Sequence, residues 1–293
     1  MRYTHTLLAV LAMSVAAQAQ DLGSLLDTIG VQRTDGDFNG FISPMTNPVF
    51  FEDPRNLTEA RIIFANQNVP GALGGGNAQL YAMQLRAALT EDLSFIATKD
   101  GFIVSDNPLI NDGWADLSAG LKYNLYEDYE YQEILSAGVT YEIPLGSGQA
   151  LQGNGDGEFH VFMTGGKELL PGMHLLAATG FRLPVDNRAE STSMYLSTHL
   201  DQQIGETGFY VFTEANYYHW LAAGKALPLP VEGGDLFNLG SSGVSDNNII
   251  TGAIGVKYKL TDTSELGFAW EAPLTGRQDI LASRATVDLI LRY

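Results

Sequence analysis

The sequence predicts an all-β transmembrane fold: an antiparallel β-barrel of about twelve strands, preceded by an N-terminal periplasmic or plug segment. Three observations carry that reading. From Leu57 onward, short segments alternate apolar and polar residues with period two, and the links between them alternate short and long. No stretch after the N-terminus approaches the roughly 20 apolar residues that a membrane helix requires.

Residues 1–19 read as a cleavable signal peptide. Arg2 and His5 precede the apolar run from Leu7 to Ala17, and Ala17-Gln18-Ala19 offers small residues around a cut before Gln20. Residues 20–56 form the next unit, opening with a short amphipathic pattern at Leu22, Leu25, Leu26 and Ile29 and continuing with Gly and Pro. A lumen plug and a disordered periplasmic tail both suit this composition. Within it, Asp35-Gly36-Asp37-Phe38-Asn39-Gly40 matches the opening of a calcium loop, whose ligands in this chain would include Asp35, Asp37 and Asn39. Thr46 stands where the bidentate Glu belongs, so an acidic turn is the preferred reading, with no metal and no cofactor expected.

Residues 57–293 supply the barrel. The expected strands cover 57–67, 79–89, 93–104, 114–126, 132–143, 158–168, 173–183, 193–203, 209–220, 249–260, 265–272 and 282–293. In the clearest of them, Ala115, Leu117, Ala119, Leu121, Tyr123 and Leu125 share one face, while Asp116, Ser118, Gly120, Lys122 and Asn124 share the other. A one-residue slip would turn Lys122 into lipid at a cost of roughly 2 to 4 kcal/mol near the midplane, so the apolar face looks outward. The strand over 93–104 is irregular. Its Lys99 falls on the apolar face, which predicts a bulge near Asp100-Gly101 or an early exit from the bilayer.

The links at 90–92, 127–131, 169–172, 204–208 and 261–264 are short, whereas most of those between them are longer, which places the N-terminus in the periplasm. Tyr123, Tyr126, Tyr129 and Tyr131 cluster around one short turn, and Trp114, Tyr217, Tyr218 and Trp220 lie beside long loops, as membrane-interface girdles do. Val287, Leu289, Leu291 and Tyr293 continue the alternation to the end of the chain. That pattern resembles the closing-strand signal of outer-membrane assembly, so the assembly machinery, outer-membrane lipid and a small-molecule solute are the expected partners.

The formal net charge of −18 argues against nucleic acid, and the absence of cysteine excludes disulfides and thiolate metal sites. The stretch Gly113-Trp114-Ala115-Asp116-Leu117-Ser118-Ala119-Gly120-Leu121-Lys122-Tyr123, with Tyr141 to Gly146 and Gly153-Asn154-Gly155-Asp156-Gly157, resembles the MetA-pathway of phenol degradation family. That resemblance spans roughly residues 113 to 187 and implies an outer-membrane barrel transporter. Asn47-Pro48-Val49 also resembles, with a different third residue, the Asn-Pro-Ala hatch of long-chain fatty acid channels. The glycine run at 153–157 precedes a strand rather than a helix and reads as loop flexibility, not as a phosphate cradle.

By parity the lumen carries Arg86, Asp116, Lys122, Glu142, His160, Arg182, His199, Glu214, Lys257, Lys259, Glu271 and Arg284 as candidates for the solute path. Glu59, Arg61, Glu133, His174, Asp201, Glu265, Asp288 and Arg292 join them. In antiparallel register Lys259 can face Glu265 and Glu271 can face Arg284, either as internal braces or as a charge ladder for permeating solutes. Ser197, His199 and Asp201 share one strand face, but residues two apart stand about 6.8 Å from one another and point in parallel, which makes a poor catalytic relay. The sequence therefore predicts a passive channel for small hydrophobic or aromatic solutes, with the loop over 221–248, holding Leu227-Pro228-Leu229-Pro230 and Leu236-Phe237, as selector. A barrel hydrolase acting on lipid or peptide, and a filled barrel serving anchoring or adhesion, are the alternatives.

Overall fold

Along its whole length β1 (Glu59–Asn68) pairs with β14 (Ser283–Arg292), from Glu59 opposite Arg292 to Asn68 opposite Ser283, and this ladder shuts the sheet on itself. A computed structural model describes residues 28, 30–34 and 36–293; the expected signal peptide, the Leu22 to Ile29 pattern and Asp35 lie outside the described residues. The wall continues through β2 (Asn77–Ala88), β3 (Leu93–Lys99), β4 (Phe102–Ser105), β5 (Gly113–Trp114), β6 (Leu117–Asp128), β7 (Glu133–Ile143) and β8 (Glu158–Leu170). It is completed by β9 (Met173–Pro184), β10 (Thr192–Gln203), β11 (Phe209–Ala222), β12 (Asn248–Thr261) and β13 (Ser264–Pro273). Every pairing is antiparallel between neighbours in the chain, apart from the closing ladder and the broken region of β3 to β6. There β3 and β4 are two halves of one crossing, as are β5 and β6, so the 14 strands make a closed barrel of 12 crossings.

Alternation sets the two surfaces. In β10, Ser193, Tyr195, Ser197, His199 and Asp201 are buried, while Leu196 and Leu200 are exposed on the outside. The same inversion of an ordinary soluble fold holds in β8, where His160 and Thr164 are buried and Phe159, Val161 and Met163 are exposed. An exposed apolar belt with a polar interior suits lipid outside and a wet or charge-filled space within. Short turns join β2 to β3, β6 to β7, β8 to β9, β10 to β11 and β12 to β13 at one end, and the longer loops gather at the other.

Two expectations change in this frame. The crossing expected to run unbroken over 114–126 is interrupted, because Ala115 and Asp116 are both buried between exposed Trp114 and Leu117; Ala115 N–H bonds the Gly101 carbonyl instead of continuing the ladder. Glu133 faces outward rather than into the lumen, since the inward positions of β7 are Ile134, Ser136, Thr140 and Glu142, and it pairs with the exposed Lys167. Glu133 and Glu142 stand at odd and even positions of one period-two strand, so only one of them can face inward.

Candidate functional site

The lumen is occupied by the chain's own N-terminal segment. Residues 41–55 are buried without interruption, and their partners come from the inward face of nearly every crossing. The Glu214 carboxylate of β11 accepts the N–H groups of Met45 and Thr46 at 2.7 and 2.6 Å. Arg61 and Lys257 each donate to a main-chain carbonyl, of Pro44 and Ser43, both at 2.8 Å. Gln84 reaches the Pro48 carbonyl, Tyr195 the Phe50 carbonyl and Thr164 the Glu52 carbonyl, each at 2.7 Å. An irregular segment has no ladder to satisfy its peptide groups, so polar wall residues do so here.

Charge locks the same segment. Glu52 makes a two-pronged ion pair with Arg86 at 2.6 and 2.7 Å and also accepts from Lys122 at 3.1 Å. Lys122 donates further to the carbonyls of Asp53 and Arg55, and Arg55 is itself clamped on Asp53 at 2.7 Å. The parity list is thereby given roles that differ by residue. Arg86, Lys122, Glu214 and Lys257 hold the inserted segment; Lys259 holds its entrance through the Asn39 and Gly40 carbonyls. Lys259 does stand opposite Glu265 in register, yet Glu265 pairs with Arg292 at 2.5 Å and Lys257 at 3.6 Å. Glu271 faces Arg284 as expected, at 2.7 Å.

The long loop between β11 and β12 folds over the other end. Arg284 extends past Glu271 to Asp235 at 2.9 Å, and Arg182, paired with Glu158 at 2.5 Å, donates to the Gly234 carbonyl at 2.7 Å. Asn238 Nδ2 reaches Glu158 at 3.0 Å, while Glu232 draws the loop together by accepting from Ser191 Oγ, Leu239 N and Ser241 N. The loop's own Leu236, Phe237 and Leu239 are buried. In the neighbouring loop before β10, burial and the negative charges of Glu158 and Glu142 push the Glu190 carboxyl up to about 8.

The wall is broken where β3 gives way to β4. A bulge between Ala97 and Lys99 turns Lys99 inward to Glu142 at 2.5 Å, with Asp116 3.9 Å away, which resolves the parity conflict seen in the sequence. Gly101 takes φ 114, where a Cβ would lie 2.4 Å from the Tyr81 carbonyl oxygen. Asp100 fills the missing ladder bond by accepting Met83 N–H at 2.8 Å. Behind the break lies a cavity of about 20 Å³ among Val49, Ile63, Leu80, Ile103, Leu236 and Phe237, also bordered by Ala82, Lys99, Asp100 and Ala115. Asp116 anchors the glycine-rich loop beside it, accepting from Gly146 N and Gly153 N at 2.8 and 2.9 Å. Gly153, Gly155 and Gly157 all have positive φ, so the run serves a defined turn rather than general looseness.

Ser197, His199 and Asp201 do share a face, without a relay. Ser197 Oγ accepts from Asn47 at 2.9 Å, whereas His199 lies between Glu214 at 2.6 Å and Asp201 at 3.2 Å, with His174 on the far side of Asp201 at 2.8 Å. His160 contacts the Tyr195 hydroxyl at 3.0 Å and packs on Phe50. Of the calcium-loop residues that are described, Asp37 gives its carbonyl to Gln132 Nε2 at 3.0 Å and Asn39 gives its own to Lys259. Parity had no means of finding Glu52, Asp53, Arg55 or Asp235, which lie outside the strands; the run Glu52-Asp53-Pro54-Arg55 in a short linker was the available signal.

No protein-family model and no curated protein matches the chain. Among solved structures, it is similar to an outer-membrane channel from Pseudomonas putida F1 at 13% identity and a TM-score of 0.56, over 86% of this chain and 100% of that one. It is also similar to the NanC porin, at 7% identity and a TM-score of 0.49, over 80% of this chain and 98% of that one. At such identities the first likeness establishes the closed barrel fold, and the resemblance to the MetA-pathway family continues to rest on its motifs.

Proposed function

We propose that the chain is an outer-membrane barrel for passive entry of small hydrophobic or aromatic solutes, plugged by the segment over residues 20–56 through its buried run 41–55 and lidded by residues 223–247. In this reading the short turns face the periplasm and the long loops face outward. One observation carries the choice of solute: the lumen is packed with paired charges, yet the cavity at the wall break is mostly apolar, with Gln84, Thr98, Lys99 and Asp100 among its polar borders. A space of about 20 Å³ holds about one water, so the structure corresponds to a resting state and a solute enters only when Pro48-Val49 or Leu236-Phe237 moves. The wall residues Ile63, Ala82, Asp100 and Ala115 border that cavity and also an open groove outside, among Ile62, Phe64, Tyr81, Met83, Trp114 and Leu117. Sharing of these residues supports lateral entry from the apolar layer of the membrane.

Deleting residues 21–56 is the test of the plug. The trimmed barrel should show raised single-channel conductance in planar bilayers and faster swelling of loaded liposomes; unchanged conductance would count against it. Failure of both forms to pass ions or neutral solutes would favour an anchoring role, and hydrolysis lost on Ser197→Ala with the fold intact would favour an enzyme.

A further inference from the structure

Asp100 is out of place. It sits at mid-height in the wall, beside Ile63 and Ala82, which are paired near the centres of β1 and β2, and the groove it borders is otherwise built of Ile62, Phe64, Tyr81, Met83 and similar residues. Its Oδ1 is engaged by Met83 N–H, and among the described residues no Lys, Arg or His is paired with it. Lys99, next in sequence, turns the other way to Glu142. A carboxylate facing an apolar layer is costly, and such residues in membrane proteins mark sites where a charged ligand is met.

The interior side carries a second, independent sign. Around the lid, Asp116, Glu142 and Glu158 outnumber Lys99 and Arg182, and among the described residues Glu190 Oε2, in a residue only 4% exposed, has no hydrogen-bond partner. Lys99, the other charged residue on the cavity, is held by Glu142 and lies near Asp116, so beyond it a cation would meet this surplus of acid, whereas an anion would be opposed by it and by Asp100.

We infer that Asp100 is the specificity-determining residue of the wall break, selecting solutes that carry an amine on an apolar skeleton over their neutral or anionic analogues. The inference rests on the lateral entry proposed above. The apolar groove takes the skeleton, and Oδ2 accepts from the ammonium in surroundings where a charge-assisted bond is strong.

The test is equilibrium dialysis of the full chain in nanodiscs, corrected for empty nanodiscs, with 4-phenylbutylamine, 4-phenylbutanol and 4-phenylbutyrate. Affinity should fall in that order. Asp100→Asn keeps an acceptor for Met83 N–H and loses the charge, so the amine-to-alcohol affinity ratio should drop about tenfold, while Asp100→Glu retains it. An unchanged ratio in Asp100→Asn overturns the inference and leaves lateral entry standing. Ala115→Trp, which fills the break, should weaken all three ligands, and if it weakens none the entry route itself fails. Should Asp100→Asn not fold, competition on the unaltered chain decides: the amine must displace bound alcohol better than the carboxylate does, and equal displacement overturns the assignment.

Discussion

The guanidinium of Arg182 lies over the ring of Phe50, 4.6 Å from its centroid, while its Nη1 bonds the Gly234 carbonyl. One wall residue therefore touches both the inserted segment and the lid. Arg182→Ala should loosen the two together, raising conductance, and by leaving Glu158 buried without its cation it should also lower the barrel's resistance to heat in detergent. Arg182→Lys keeps the charge on Glu158 but not the planar stack, and should give an intermediate conductance; the stack and the carbonyl bond are worth about 1 to 3 kcal/mol between them.

Glu52 and Arg86 make the other testable contact. Arg86→Leu leaves Glu52 buried with Lys122 as its remaining cation, and a cost of up to about 3 to 5 kcal/mol for breaking a buried pair should appear as release of residues 41–55 from the lumen. Glu52→Leu with Arg86→Leu should be milder than Arg86→Leu alone. Protection of residues 41–55 in hydrogen exchange reads the effect.

A pH dependence follows from Glu190, whose carboxyl is held up to about 8 first by burial and then by Glu158 and Glu142. The closed lid binds a proton that the open or unfolded loop releases, so the contribution is full below the ordinary glutamate value and is lost as pH rises through about 8. Limited proteolysis of the lid should therefore be faster at pH 9 than at pH 6. Glu190→Gln should remove the difference.

Gly101→Ala tests the wall break. A methyl at that φ would press on the Tyr81 carbonyl, and the strain of at least ~1 to 3 kcal/mol should lower the yield of heat-modifiable barrel. Gly71→Ala, where a Cβ meets open space, is the matched control.

What the sequence made legible follows from the contrast between lipid and lumen. Period-two alternation had to be kept wherever a strand met both, so strands, faces and the inward positions of Arg86, Lys122, Glu214 and Arg284 could be read directly. Lys99 even exposed the bulge, because a lysine on the greasy face demanded a change of register. Partners could not be read in the same way. Parity states which side Glu214 occupies, not that Met45 and Thr46 will thread past it, and Ala115 gave no warning of the second interruption because alanine suits either face.

The segment inside the tube takes bonds from β1, β2, β6, β8, β10, β11 and β12, while Thr34 N–H and the Tyr293 carbonyl tie its entrance to the closing ladder. A stopper so dependent on the whole circumference has no docking site on half a cylinder. Closure of the β1–β14 ladder and seating of the stopper therefore depend on each other, since neither half of the wall offers the full set of partners.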